Sequence, residues 1–140
     1  MFLIDYIQTH MTNGKVLFTA HNPKNREYLT RYLKKHRFKA LHVETFEEAK
    51  KLLDKRKVLG CAIDHTFTAD HEHTGLDLVR FIRRDRAEEL RGLPIFVVAD
   101  VDTATLQEYE YLKINRYFDT TQERVGYVVD EMDPYFIERD

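Results

Sequence analysis

The 140-residue chain is poor in the residues that would commit it to several common classes. One cysteine, Cys61, rules out an internal disulfide. It lies inside an apolar run, where it reads as a small core residue rather than a reactive thiol. No apolar run approaches the roughly 20 residues of a membrane-spanning helix. Phe2–Ile7 is too short and too acidic for a signal peptide, so the expected location is the cytoplasm. A net charge of −2 gives no bulk attraction to nucleic acid or anionic membrane. The five glycines are scattered and form neither a G-x-G-x-x-G nor a Walker pattern, which excludes a standard phosphate-cradling loop. No repeat, low-complexity segment or convincing nucleophile–base arrangement is present, and the chain does not read as an enzyme.

Apolar and charged residues, 43% and 33%, are balanced as in one globular domain large enough to bury a core. Residues 15–140 read as that domain and residues 1–14 as an N-terminal extension. Phe2, Leu3, Ile4, Tyr6 and Ile7 make the extension a candidate docking or dimerisation arm, closed by the turn signal Thr12-Asn13-Gly14.

The domain alternates short apolar runs with amphipathic stretches. Lys15–Thr19 predicts strand 1, followed by a turn in which Asn22 caps a helix and Pro23 enters it. Tyr28, Leu29, Tyr32 and Leu33 share one face of helix 1. Phe38–Val43 predicts strand 2, and Thr45 with Glu48 has capping-box spacing before helix 2. Lys57–Ile63 predicts strand 3. Helix 3 spans about 74–84, and Arg83, Arg84, Arg86 and Arg91 near its end read as a solvated basic segment. Strand 4 spans Leu93–Ala99, helix 4 Thr103–Leu112, strand 5 Asn115–Phe118 and helix 5 about 122–133, ending near Pro134. Five strands each followed by a helix mean a parallel sheet covered on both faces. The expected fold is α/β, flavodoxin-like (βα)5, doubly wound, with strand order 2-1-3-4-5. In that order the ends of strands 1 and 3 meet, bringing Ala20 and His21 to Asp64.

The chain organises itself around Val58–Gly75. An apolar strand ends in Asp64, and a polar loop with His65, Asp70, His71, Glu72 and His73 leads to Gly75 at a helix start. These side chains, with His21, are candidate ligands for a transition metal, the set being His21, Asp64, His65, His71 and His73. His71-x-His73 lacks the spacing of a strong zinc motif, and the competing reading is a solvated, open loop. Asp64 itself can serve structurally, accepting N–H groups from its loop or pairing with His21.

From Lys15 to Ile137 the chain resembles the receiver domain of bacterial response regulators. The resemblance rests on the order of the ten elements, Asp64 ending strand 3, Gly75 opening helix 3, Leu93-Pro94 entering strand 4, and Tyr117 in strand 5. It implies that Asp64 matches the aspartate that accepts a phosphoryl group. Such receivers hold Mg²⁺ with an acidic pair ending strand 1, a position occupied here by Ala20 and His21. They place a Ser or Thr where Ala99 stands and a Lys where Thr120 stands. Ala20 offers Mg²⁺ no ligand and His21 only a nitrogen suited to softer metals. Phosphoryl transfer relies on positioning and charge neutralisation, so Mg²⁺ is not expected. The resemblance is therefore to the degenerate, pseudo-receiver branch, which implies a stand-alone module in bacterial two-component signalling that binds another signalling protein. Tyr117 matches the aromatic that moves on activation, against the plainer reading of a half-buried strand residue. Tyr109, Tyr111 and Tyr117 lie on or near the helix 4–strand 5–helix 5 face, a candidate homodimer or partner surface, and a core role for some of them is an equally ordinary reading. The alternatives are a phosphoacceptor receiver using Asp64 and a metal- or ligand-sensing module using the histidine loop.

Overall fold

The structure, a computed structural model, describes residues 14–55 and 57–137. The expected docking arm, residues 1–14, lies outside the described residues apart from Gly14.

Five parallel strands form one sheet in the order β2-β1-β3-β4-β5. In chain order the elements are β1 (Lys15–Phe18), α1 (Pro23–Lys35), β2 (Lys39–His42), α2 (Phe46–Lys55), β3 (Gly60–Ile63), α3 (Gly75–Arg80), β4 (Ile95–Ala99), α4 (Thr103–Tyr111), β5 (Arg116–Asp119) and α5 (Val125–Met132). α3 runs on into one π-helical stretch, Phe81–Asp85, and α5 into a 3-10 turn, Asp133–Tyr135, built on Pro134. The flavodoxin-like order read from the sequence is the observed one.

Strand side chains alternate between the two faces, so one sheet builds two cores. Leu17, Cys61, Ile63, Ile95 and Val97 point to the side covered by α2, α3 and α4. Val16, Phe18, Ala62, Phe96 and Val98 point to the side of α1 and α5. Cys61 is fully buried, and burial pushes its thiol up to about 12, as a core residue requires.

Local signals account for the helix starts. Asn22 accepts N–H bonds from Lys24 and Asn25 at the head of α1. Thr74 and Asp77 form a reciprocal capping box on α3. At α2 the expected box is shifted by one residue. Thr45 Oγ1 accepts from the Glu48 N–H, but the Glu48 carboxylate reaches back to the N–H of Glu44.

Arg83 departs from expectation. Its guanidinium is half-buried and donates to the carbonyls of Leu93 and Lys113 and to Asn115 Oδ1. Burial lowers its basicity, with proximity to Cys61 acting in the opposite sense. It fastens the connection before β4 to the one before β5, so it does not belong to a solvated patch. Its i, i+1 neighbours with the same charge hid this role, because periodicity does not separate a guanidinium that folds inward from one that does not.

Candidate functional site

The parallel strands of β1, β3 and β4 end together at the carboxyl edge of the sheet, with Phe18 opposite Ala62 and Ile63 opposite Val97. The chain crosses over in opposite directions on either side of β1 and β3, which leaves a crevice at their ends. Asp64 stands there with its side chain 12% exposed.

Each Asp64 oxygen is occupied from within the fold. Oδ2 accepts the backbone N–H of His21 at 3.1 Å and the His21 imidazole Nδ1–H at 2.9 Å. Oδ1 accepts the N–H of His65 at 2.7 Å. The Asp64 N–H donates to the buried Thr19 hydroxyl at 2.7 Å, which fixes where the carboxylate starts. The aspartate thereby ties the end of β1 to the end of β3 and to its own loop.

Ala20 and Ala99 are buried methyls. The Ala99 carbonyl accepts both the Thr120 N–H and the Tyr117 hydroxyl, each at 3.0 Å. Tyr117 is half-buried, its phenol turned toward β4, where it also accepts the Val101 N–H at 3.3 Å. Burial raises its pKa most, that N–H lowers it, and Asp119 and Asp100 add to the rise, so the phenol stays protonated.

Magnesium is the ion that the receiver resemblance implies. It requires several hard oxygen ligands in octahedral array. The strand-1 end supplies a methyl and an imidazole, and that imidazole already engages Asp64. These residues do not fit the ion. The transition-metal set is also not assembled. Among the described residues no three His, Cys, Asp or Glu side chains converge as a metal site. His21 meets Asp64, but His65 bonds the Tyr109 hydroxyl at 2.7 Å, His73 bonds Asp70, and His71 is exposed. Two β-like residues bridge the loop, Thr66 with Thr74, and this pairing splays the histidines apart.

The loop expected to be open is instead ordered around Asp70. Its carboxylate accepts N–H bonds from Phe46, Glu72 and His73, and a further one from the His73 ring. Partial burial opposes its charge, but these donors outweigh that and hold its pKa below the usual carboxylate range. Phe67 is buried beneath the loop.

Of the three tyrosines, Tyr109 takes the core role: it is fully buried, its hydroxyl against His65 and over Gly75. Burial, then Asp64 and Asp77, drive its pKa far up, so the phenol stays neutral against His65 Nδ1. Tyr111 is the exposed member of that set, at 78%.

Sequence reasoning passed over Thr19, Arg26 and His42. Arg26 reaches from the first turn of α1 to the carbonyls of Ala20 and His21. A cation is disfavoured in a helix's first turn, and that misplacement was the available signal. The His42 Nε2 is buried without a partner at the end of β2, its ring 5.1 Å from that of Phe18. Burial, then Arg26, lowers its pKa.

This architecture is that of a receiver domain. A response regulator receiver protein from Pseudomonas putida superposes with a TM-score of 0.74 at 27% identity, covering 88% of this chain and 98% of that one. The phosphorylated cyanobacterial phytochrome response regulator RcpA gives 0.75 at 13% identity, over 89% and 94%. The receiver domain of the sensor histidine kinase PA1611 from Pseudomonas aeruginosa, with a magnesium ion in its active-site cleft, gives 0.70 at 16%, over 89% and 98%. The chain thus has the fold of the receivers of two-component signalling. By sequence, residues 6–76 match the family model described as MFD, D3 domain, just over half of the chain, and the chain belongs to that family. That description names a domain and assigns it no activity. No curated protein matches the chain. Among the described residues no helix is long and apolar enough to cross a membrane.

Proposed function

We propose that the chain is a phosphorylation-independent, receiver-like docking module of bacterial signalling, acting in the cytoplasm by binding another signalling protein. One observation carries the reading: Asp64 spends both oxygens on internal donors, with an imidazole bonded to Oδ2 where a receiver would present oxygen to a metal and a phosphoryl donor. To act as a nucleophile, the carboxylate would first have to give up these bonds. It would then face a phosphoryl group with no lysine at Thr120 and no acidic pair at Ala20 and His21 to offset the charge. The module works without Mg²⁺, and its aspartate is a strut. Residues 15–140 form the docking domain, with residues 1–14 as an appended arm.

The test is incubation of the full chain with acetyl phosphate and Mg²⁺, read by intact mass. The expected spectrum is unchanged. An adduct of about 80 Da, one HPO₃, that disappears in Asp64→Asn would establish the phosphoacceptor reading instead.

A further inference from the structure

The amino edge of the sheet, opposite the Asp64 crevice, holds a pocket of about 410 Å³ between the end of α2 and the connections into β3 and β4. Leu53, Val58, Leu59, Leu90 and Leu93 line it, with Ile137 at the rim. Members of both cores meet here, Leu53, Val58 and Leu93 from one face of the sheet and Leu59 from the other. Each of these four keeps some exposed surface, and Ile137 is 58% exposed. The acids around this floor are turned away from it. Asp54 and Glu89 pair with Arg86 at 3.0 and 3.7 Å. The floor is thus an apolar surface with no unpaired carboxylate over it, and leaving such a surface in water is unfavourable.

The sequence supplies a cover for it. Five of the six residues Phe2–Ile7 are large and apolar, and Asp5 is the one charge among them. The arm joins the domain at this same edge, because β1 begins at Lys15. Gly14 packs on the Leu59 side chain so closely that a Cβ has no room there. Leu59 is itself a wall of the pocket, so the arm starts at the rim and has no other element to cross. Thr12-Asn13-Gly14 is a turn signal that can reverse the chain onto the edge. From Gly14 back to Ile7 is a reach of roughly 25 Å at most. A short tether of that kind gives an effective concentration in about the millimolar range, which favours a chain's own arm over that of a second copy. The other chain end is unsuited to an apolar floor, since Glu138-Arg139-Asp140 is wholly charged.

We propose that Phe2–Ile7 folds back over the amino-edge pocket of its own chain and lays its apolar side chains on Leu59, Leu93 and Ile137. The arm is then stowed on the domain, on the edge remote from Asp64, and closes the end where the two cores meet. The inference goes beyond the docking function and stands apart from the reading of Asp64.

The experiment uses the absence of tryptophan from the chain. Phe2→Trp and Tyr6→Trp, made separately in the full chain, each provide a single emitter. At least one should emit at shorter wavelength than the same chain in denaturant, and Ile137→Asp should move that emission most of the way back to the red. Tyr111→Asp, at another exposed apolar site on α4, should leave it unchanged. The blue shift should also persist on dilution, as a contact within one chain does. Denatured-like emission from both variants, or a blue shift indifferent to Ile137→Asp, would overturn the proposal. So would a blue shift lost on dilution, which would put the arm on a second copy. Melting gives an independent measure should the tryptophans not fit. Leu3→Ser and Ile137→Ser should each lower Tm by about 2–5 °C, and the pair together by less than the sum, as residues in contact do. Additive losses would count against the contact and overturn it. An acetyl phosphate adduct on Asp64 would end the phosphorylation-independent reading and leave the arm's place untouched.

Discussion

Asp64 and Asp70 sit six residues apart, each with a side chain 12% exposed and each bonded to a histidine. They nonetheless hold different things. Asp64 joins two strand ends, and two of its three donors come from His21, whose side chain is 56% exposed. Asp70 joins the loop to the head of α2, and its donors from Phe46 and His73 are partly buried. Donors that open to water lose little when their acceptor is removed, whereas buried donors lose the whole bond. The aspartate in the strand-end crevice is thus the more dispensable for stability, and the one in the loop is the more structural.

The largest effect expected is at Gly75, where the two regions touch. A Cβ there would lie 2.5 Å from both the Asp64 carbonyl oxygen and the Tyr109 hydroxyl and 3.0 Å from an Ile63 methyl. Backbone and a buried ring cannot both retreat, so Gly75→Ala should cost about 3 kcal/mol in denaturant melts. A neutral result would mean that loop and crevice are not wedged together as described.

Next comes Asp70→Ala, expected to cost about 2 kcal/mol by stranding N–H groups of Phe46 and His73. The pH dependence sharpens it. The folded-state pKa of Asp70 is depressed, so its contribution is complete above the ordinary carboxylate range and is lost as pH falls through the folded value. Urea midpoints should therefore fall less steeply on acidification in Asp70→Asn than in the unaltered chain. Parallel acid limbs would contradict the role given to Asp70.

The smallest effect belongs to Asp64→Ala, about 1 kcal/mol or less, since only the His65 N–H is left partly buried without its acceptor. A loss as large as that of Asp70→Ala would erase the distinction between the two.

Much of the architecture was legible because it rests on local periods. Apolar runs such as Gly60–Ile63 and Ile95–Ala99 have no polar face to turn to water, which dictated a sheet covered on both sides. Asn22, Thr74 and Asp77 announced helix starts through side chains that reach only a few residues. The crevice was legible in outline, since strand order alone brings His21 to Asp64. The histidine loop was not. Five potential ligands within nine residues looked like a cluster, but the Thr66–Thr74 bridge and the distant partners Phe46 and Tyr109 turned them in separate directions.

What the sequence determined by itself was the succession of strands and helices and the presence of Ala20, His21, Ala99 and Thr120 at the strand ends near Asp64, because periodicity and residue identity are local. What only the tertiary structure decided was where polar side chains spend their hydrogen bonds. Tyr109 buried against His65 and Arg83 clamping two connections both depend on neighbours distant in the chain, and no window of sequence contains them.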